Sequence, residues 1–292
     1  FRSPQNLGKF YKSRYSIQNY GEKIMKTCIN GATTMPYSLE EDIKAAGEAG
    51  FDGVEIWRAK MDRYLQEHPK EKLKDLLLSY NLGVSAICYF AGYVWCSEDE
   101  FKKKVEETRR YFEIASHIGC ESLLVCAERS DNKTRDQEIN AHAQRLRTLA
   151  EVGEDYGVKI DLEWFQDLRD AIEIVNLMDH KYAGMMIDTF HWYRGDRNMD
   201  HVDLIPVDKL FLVHINDSED IDRKKLTDKN RLYCGKGIIP LVEILEKLKE
   251  KGYDGYLSVE IFRDEYWKKD PFTISQESLK TLKEVMKKAT LL

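Results

Sequence analysis

Eight times between residues 25 and 292, a short apolar run is followed by a segment of a different periodicity. The runs are TCIN (27–30), GVEIW (53–57), VSAIC (84–88), SLLVC (122–126), VKIDLE (158–163), GMMID (184–188), LFLVHI (210–215) and GYLSVEI (255–261). They are mostly apolar rather than alternating, as expected of strands covered on both faces. Several intervening segments carry apolar residues at a three-to-four spacing. SLEEDIKAAGEAG opens with the capping pair Ser38 and Glu41 and ends on Gly50, and the segment from Ser97 to Gly119 repeats that design. TRDQEINAHAQRLRTLAEVGEDYG, PLVEILEKLKEKG and SQESLKTLKEVMKKA supply three more helices. Strict strand-then-helix order implies a parallel sheet with right-handed crossovers. Eight such units predict an α/β fold closed into a single (β/α)8 TIM barrel over residues 25–292, with no second domain. The stretch after the sixth strand (HWYRGDRNMDHVDLIP) has weak helix signal. The one after the seventh (NDSEDIDRKKLTDKNRLYCGKG) is long and polar. Both are expected to be loops on the functional rim.

Four residues of metal-binding type stand at the carboxyl ends of four successive strands: Glu163, Asp188, His214 and Glu260. A βα unit takes roughly 25–30 residues. The steps of 25 and 26 residues are therefore one unit each, and the step of 46 is one unit plus an insertion. Strand carboxyl ends meet on one rim of a β/α barrel, so residues far apart in sequence converge there. One such carboxylate alone reads as a helix cap or a salt bridge. Four on consecutive strands read as a site for a hard or borderline divalent cation.

The 292 residues are 42% hydrophobic and 33% charged, with a net charge of −6. This composition fits a globular chain and opposes nucleic acid as the main partner. No apolar run is long enough to cross a membrane. Six cysteines (Cys28, Cys88, Cys96, Cys120, Cys126 and Cys234) lack CxxC spacing and read as buried free thiols of a reducing, cytoplasmic setting. Residues 1–24 carry a net charge of +4, which leaves −10 for the remainder. They lack the apolar centre of a secretory signal and read as a basic extension, disordered or an artefact of cloning or of the start site.

Other rim residues have two readings each. His191, three residues past Asp188, either packs on Trp192 or donates a hydrogen bond to a substrate oxygen. Glu55 either faces substrate at the end of the second strand or pairs with Arg58 or a lysine. Arg231, Lys236 and Arg263 are solvated charges unless one of them contacts a polyol or a catalytic carboxylate. Asn216 and Asp217 orient His214 or cap the loop. Aromatic residues crowd the strand ends, among them Trp57, Tyr89, Phe165 and Phe262. Some pack beneath loops, and some form a wall for the C–H face of a cyclic sugar. The segment Gly235-Lys236-Gly237 reads as a turn into the next helix rather than a phosphate loop.

Taken together, INGATTM, FDGVEIW, GVKIDLEW, IDTFHW, VHINDSED, LTDKNRLYCGKG and LSVEIFRDEYW resemble the xylose-isomerase-like sugar isomerase/epimerase superfamily. Within it they are most similar to the 2-keto-myo-inositol (inosose) isomerases of bacterial inositol catabolism. The resemblance runs from Met25 to about Lys288. It implies metal ligands at Glu163, Asp188, His214 and Glu260, and acid/base glutamates at Glu163 and Glu260. It also implies a catalytic histidine at His191 and a substrate-binding arginine at Arg231; Glu55, Trp57 and Arg263 are further candidates for substrate contact. One divalent ion is implied, with Mn²⁺ favoured and Co²⁺, Mg²⁺ or Zn²⁺ as alternatives. The implied partner is a small sugar or cyclitol, enolised through a cis-enediolate, and a homo-oligomer is compatible with such barrels. The chain departs from the inosose isomerases in three places. Gly31 replaces an acid, Trp164-Phe165-Gln166 follows Glu163, and the strand-three loop CYFAGYVWC is more aromatic. These departures touch the pocket and leave the reaction class alone.

The alternatives are ketose 3-epimerisation or inosose dehydration at the same site, an endonuclease IV-like repair enzyme, and a non-catalytic barrel. The repair enzyme needs several more histidines at strand ends. Of the seven here, His68, His117, His142 and His180 fall on expected helices or helix ends. The acidic balance also opposes DNA.

Overall fold

The structure is a computed structural model that describes residues 25–292; the basic segment 1–24 lies outside the described residues. Eight parallel strands close into a barrel. They are β1 (Lys26–Asn30), β2 (Gly53–Trp57), β3 (Gly83–Phe90), β4 (Cys120–Cys126), β5 (Lys159–Glu163), β6 (Ala183–Asp188), β7 (Leu210–Ile215) and β10 (Tyr256–Val259). Each pairs with its neighbours in the chain, and β10 pairs with β1 to seal the sheet. All eight expected strands are present. The last ends at Val259, so Glu260 stands just beyond it.

The helices follow their sequence signals. Helix α1 (Leu39–Ala49) has the reciprocal Ser38–Glu41 capping box and stops at Gly50, whose φ of 89° is left-handed. The Ser97–Gly119 design gives α4 (Glu98–Ile118) with the same two caps. Between β2 and β3 the chain forms two helices, α2 (Arg58–Glu67) and α3 (Lys70–Ser79). Pro69 separates them, because it cannot donate into a continuous helix. Helices α5 (Arg135–Tyr156), α6 (Leu168–Met178), α9 (Leu241–Glu250) and α10 (Pro271–Lys288) complete the outer ring. The last begins at Pro271, ahead of the expected start, with Asp270 as its N-cap.

The two rim segments differ from expectation. After β6 the chain forms short helices α7 (Thr189–Arg194) and α8 (Met199–Leu204) instead of a loop. Asp188 nucleates α7: its Oδ1 accepts from the amides of Phe190 (2.7 Å) and His191 (3.3 Å). After β7 the polar segment folds back as a two-stranded antiparallel ribbon, β8 (Asp217–Ser218) with β9 (Arg231–Leu232). That ribbon delivers Arg231 to the rim.

A large apolar layer fills the space between sheet and helices. A second, smaller cluster lies inside the barrel, including Cys28, Ala86, Leu124, Met186, Leu212 and Tyr256. Tyr256 closes the amino-terminal end. A Cβ on Gly83 would stand 2.2 Å from its hydroxyl, and one on Gly53 would stand 2.7 Å from its ring, so β2 and β3, across the barrel floor, both need glycine there. Of the six cysteines, all are free thiols and five are buried; Cys96 is half-buried.

One buried charge anchors the β1 rim. The Lys60 ammonium donates to the carbonyls of Gly31 and Thr34 (2.8 Å each) and to Asp42 Oδ2 (2.7 Å). Burial pushes Asp42 up to about 6, against the pull of Lys60. Replacing one partner of such a pair strands the other in a low dielectric. Lys60→Met is therefore expected to destabilise the fold by about 3–5 kcal/mol in urea denaturation. An unchanged midpoint would show that this charge is dispensable.

Candidate functional site

Strand register places the four strand-end residues on one centre. Asp188 lies opposite His214 across the β6–β7 pair, and Glu163 opposite Met186 across the β5–β6 pair. All four are buried, and one ligand atom from each falls within 4.8 Å of the others. His214 is the hub. Its Nδ1 is 3.2 Å from Glu260 Oε2, 3.7 Å from Asp188 Oδ2 and 3.8 Å from Glu163 Oε1. On its other side Nε2 is held 2.9 and 3.0 Å from the two oxygens of Glu55, and Ser258 Oγ also donates to Glu55 (2.7 Å). Since Nε2–H donates to Glu55, Nδ1 directs its lone pair at three carboxylates unless a cation intervenes. Nδ1 is also a buried polar atom with no hydrogen-bond partner. Burial alone would depress the imidazole, yet Glu260 and Glu55 raise its proton affinity well above the ordinary value. A proton or a metal ion at Nδ1 resolves the same conflict. Three carboxylates and one imidazole in this arrangement fit a divalent cation, and they are the residues that could hold it.

The carboxylates have unlike surroundings. Burial and then the charge of Glu260 push Glu163 up to about 8. Its Oε2 accepts a hydrogen bond from the Cys126 thiol (3.1 Å), a weak donor. Burial would raise Asp188 too, but the charge of Arg231 holds it well below the usual carboxylate range. Arg231, 1% exposed, donates through Nη1 to Asp188 Oδ2 (2.7 Å) and Glu260 Oε2 (3.0 Å). Its Nη2 reaches Asp228 (3.0 Å) and His191 Nε2 (3.1 Å). Burial would weaken that guanidinium, and the acids around it override the effect and keep it charged. His191 is depressed to about 4, first by burial. The neutral ring accepts from Arg231 at Nε2 and so carries its proton on Nδ1, which finds no acceptor in the protein. The ring edge that faces the centre is Nε2, 3.7 Å from Glu163 Oε1.

These groups form the inner end of a cleft of about 1100 Å³. Trp57, Tyr89 and Phe262 line one side; Phe165, Gln166, Arg194 and Asn198 line the other. A second acid–histidine group lies at the mouth, where His201 Nδ1 is 2.8 Å from Asp196 and Arg169 occupies Asp167.

Several sequence readings are revised. Glu55 does not face the cleft: it is buried beneath His214 and orients that ring. Arg263 is taken up by Glu219 (2.7 Å) and Glu265 (3.2 Å) and does not line the cleft. Lys236 lies near Glu284, 3.8 Å away. Asn216 holds the Asp188 carboxylate (3.3 Å) and the Glu260 carbonyl (3.2 Å) rather than the imidazole. Asp217 caps the turn by accepting from Gly237 and Ile239. Trp57 and Arg231 do line the cleft, as does His191. Cys126 and Ser258 were missed. Ser258 was recoverable, since it lies two residues before Glu260 and thus on the same strand face. Cys126 pairs with Glu163 in register, which only the sheet alignment reveals.

A family model for the xylose isomerase-like TIM barrel matches residues 43–285, and the chain belongs to that family. Among its relatives is the inosose isomerase of Halalkalibacterium halodurans, 30% identical over 273 residues that span 89% of this chain and 94% of that protein. The 3-dehydroshikimate dehydratase of Pseudomonas putida is 26% identical over 235 residues, covering 78% of this chain and 36% of that protein. A solved structure of the IolI protein with a bound zinc atom superposes with a TM-score of 0.86 at 28% identity, covering 91% of this chain and 99% of that one.

Glu55→Ala leaves His214 free to turn. The variant is expected to bind Mn²⁺ or Zn²⁺ about 10–100-fold more weakly by titration calorimetry. An unaltered Kd would remove Glu55 from the supporting role.

Proposed function

We propose that the chain is a divalent-metal-dependent isomerase that enolises a keto-sugar or keto-cyclitol, with an inosose as the leading substrate. The observation that carries this reading is the His214 Nδ1 atom, buried, unpartnered and aimed at Glu163, Asp188 and Glu260. A divalent ion held by these four residues would polarise a substrate carbonyl and acidify the neighbouring C–H; Mn²⁺ is favoured by the oxygen-rich donor set, and the solved structure of the similar IolI protein, which holds a zinc atom, supports a divalent ion.

The chain's own residues supply the rest. Glu163 and Glu260 are the proton carriers. One takes the proton next to the carbonyl and the other returns a proton across the cis-enediolate, or the same residue does both. Their environments favour unequal roles. Glu163 has a weak thiol donor and a raised proton affinity, whereas Glu260 is gripped by Arg231. His191 lines the cleft beside Glu163 and presents its Nε2 edge to a substrate hydroxyl. Arg231 keeps Asp188 ionised, holds the Glu260 carboxylate by a hydrogen bond and fixes the His191 tautomer. Trp57 and Phe262 cover the C–H face of the substrate and exclude water from the carbanionic stage.

Ketose 3-epimerisation and dehydration of a β-hydroxy ketone begin with the same proton abstraction. The dehydratase relative keeps the second of these in view, and product analysis separates them. The endonuclease reading loses support, because His191 and His214 are the histidines that meet this centre.

The test is solvent-proton exchange. In heavy water with Mn²⁺, the protein is expected to incorporate deuterium into keto-inositol or into one of fructose, tagatose and xylulose. Prior removal of metal by a chelator should abolish incorporation, and added Mn²⁺ should restore it. Glu163→Gln and Glu260→Gln are each expected to lower exchange by about 10²–10⁴-fold with unchanged circular dichroism. Wild-type exchange in either variant would strip that glutamate of its proton-carrying role. A chain inert to every ketose would refute the isomerase reading.

A further inference from the structure

The cleft is larger than its reacting end requires. Its volume of about 1100 Å³ stands at the top of the range of about 300–1,000 Å³ typical of pockets that enclose drug-sized ligands. A hexose-sized keto-polyol seated against Glu163, His191 and Glu260 leaves the outer part unfilled. The cleft has aromatic surface on both sides, and Tyr89 is its most exposed ring. Tyr89 breaks the burial pattern of β3: its neighbours Cys88 and Phe90 are 1% exposed, yet Tyr89 is 45% exposed. Its ring stacks on Trp57 at 5.6 Å and 20°, and Phe262 meets Trp57 edge-on at 6.0 Å, which makes a continuous aromatic wall. On the other side Phe165 is half-buried and lies 4.7 Å from the His191 ring. An exposed, rigid aromatic ring lining a cleft is costly to leave in water and gains free energy when another ring covers it.

We infer that the physiological substrate is a conjugate: a keto-sugar or keto-cyclitol ring bearing an aromatic substituent, with the substituent lying against Tyr89 and Phe165 in the outer cleft. This rests on the enolising role proposed for the inner cleft. The ring that reacts faces Glu163 and Glu260, and the appended group supplies affinity without taking part in proton transfer. The polar residues Gln166 and Asn198 line the same cleft and suit oxygens at the junction between the two parts.

Matched pairs test it: D-fructose against 6-O-benzyl-D-fructose, and keto-inositol against its mono-O-benzyl ethers, with the Mn²⁺-loaded protein. Deuterium exchange gives kcat/KM, and calorimetry on the Glu260→Gln variant gives Kd independently of turnover. The benzyl member of at least one pair is expected to be favoured about tenfold or more in both quantities, with the difference in KM rather than kcat. Tyr89→Ala and Phe165→Leu are expected to bring that ratio to within about threefold of unity. Exchange with equal kcat/KM and equal Kd across both pairs overturns the conjugate and leaves the enolising site standing. Tighter binding of the benzyl member without exchange overturns the enolising role and retains the aromatic subsite. Neither exchange nor preferential binding overturns both.

Discussion

The contact between Glu55 and His214 governs the rest of the site. It fixes which imidazole nitrogen is committed and which is presented, and it buries both groups so that neither can turn to solvent. The presented Nδ1 then faces three carboxylates at 3.2 to 3.8 Å. In a low-dielectric interior that arrangement is unfavourable without positive charge between the groups. The barrel supplies part of it permanently through Arg231, which neutralises Asp188 and Glu260 from the ribbon side. It leaves Glu163, bonded to a thiol, the least compensated of the acids. The centre thus fits a cation, and the same few contacts leave Glu163 the acid least offset by positive charge.

Two elements outside the barrel strands make this possible. The β8–β9 ribbon carries a fully buried arginine over the rim. Helix α7 starts on Asp188, so one oxygen of that carboxylate caps a helix while the other faces the centre. His191, on the first turn of α7, is thereby positioned by the residue it serves. Cap, acid and histidine form one unit, which ties the local fold of the rim to the charge state of the centre.

The barrel was legible in the chain because apolar runs of strand length recur eight times and amphipathic helices, several of them capped, stand between most of them. The four-residue centre was legible for a related reason. A residue at the carboxyl end of a parallel strand has a known destination, so Glu163, Asp188, His214 and Glu260 could be brought together from their positions alone. Glu55 shares that end-of-strand placement, and position could not say whether it faced the cleft or a neighbour's imidazole; the barrel interior decided that. Helix α7 was hidden because its start signal, Asp188, had already been read as a ligand, and its six residues are too few for a periodic pattern. Arg263 was misjudged because its acidic partner Glu219 lies 44 residues away on the ribbon. Contacts across elements, such as Cys126 with Glu163, depend on strand register and stay invisible until the sheet is assembled.

Tyr256, wedged over Gly53 and Gly83, has a consequence beyond packing. It stoppers the barrel floor, so the chamber has a single door. The cleft is reached across the carboxyl rim alone, and the short loops at the opposite end carry no part of it.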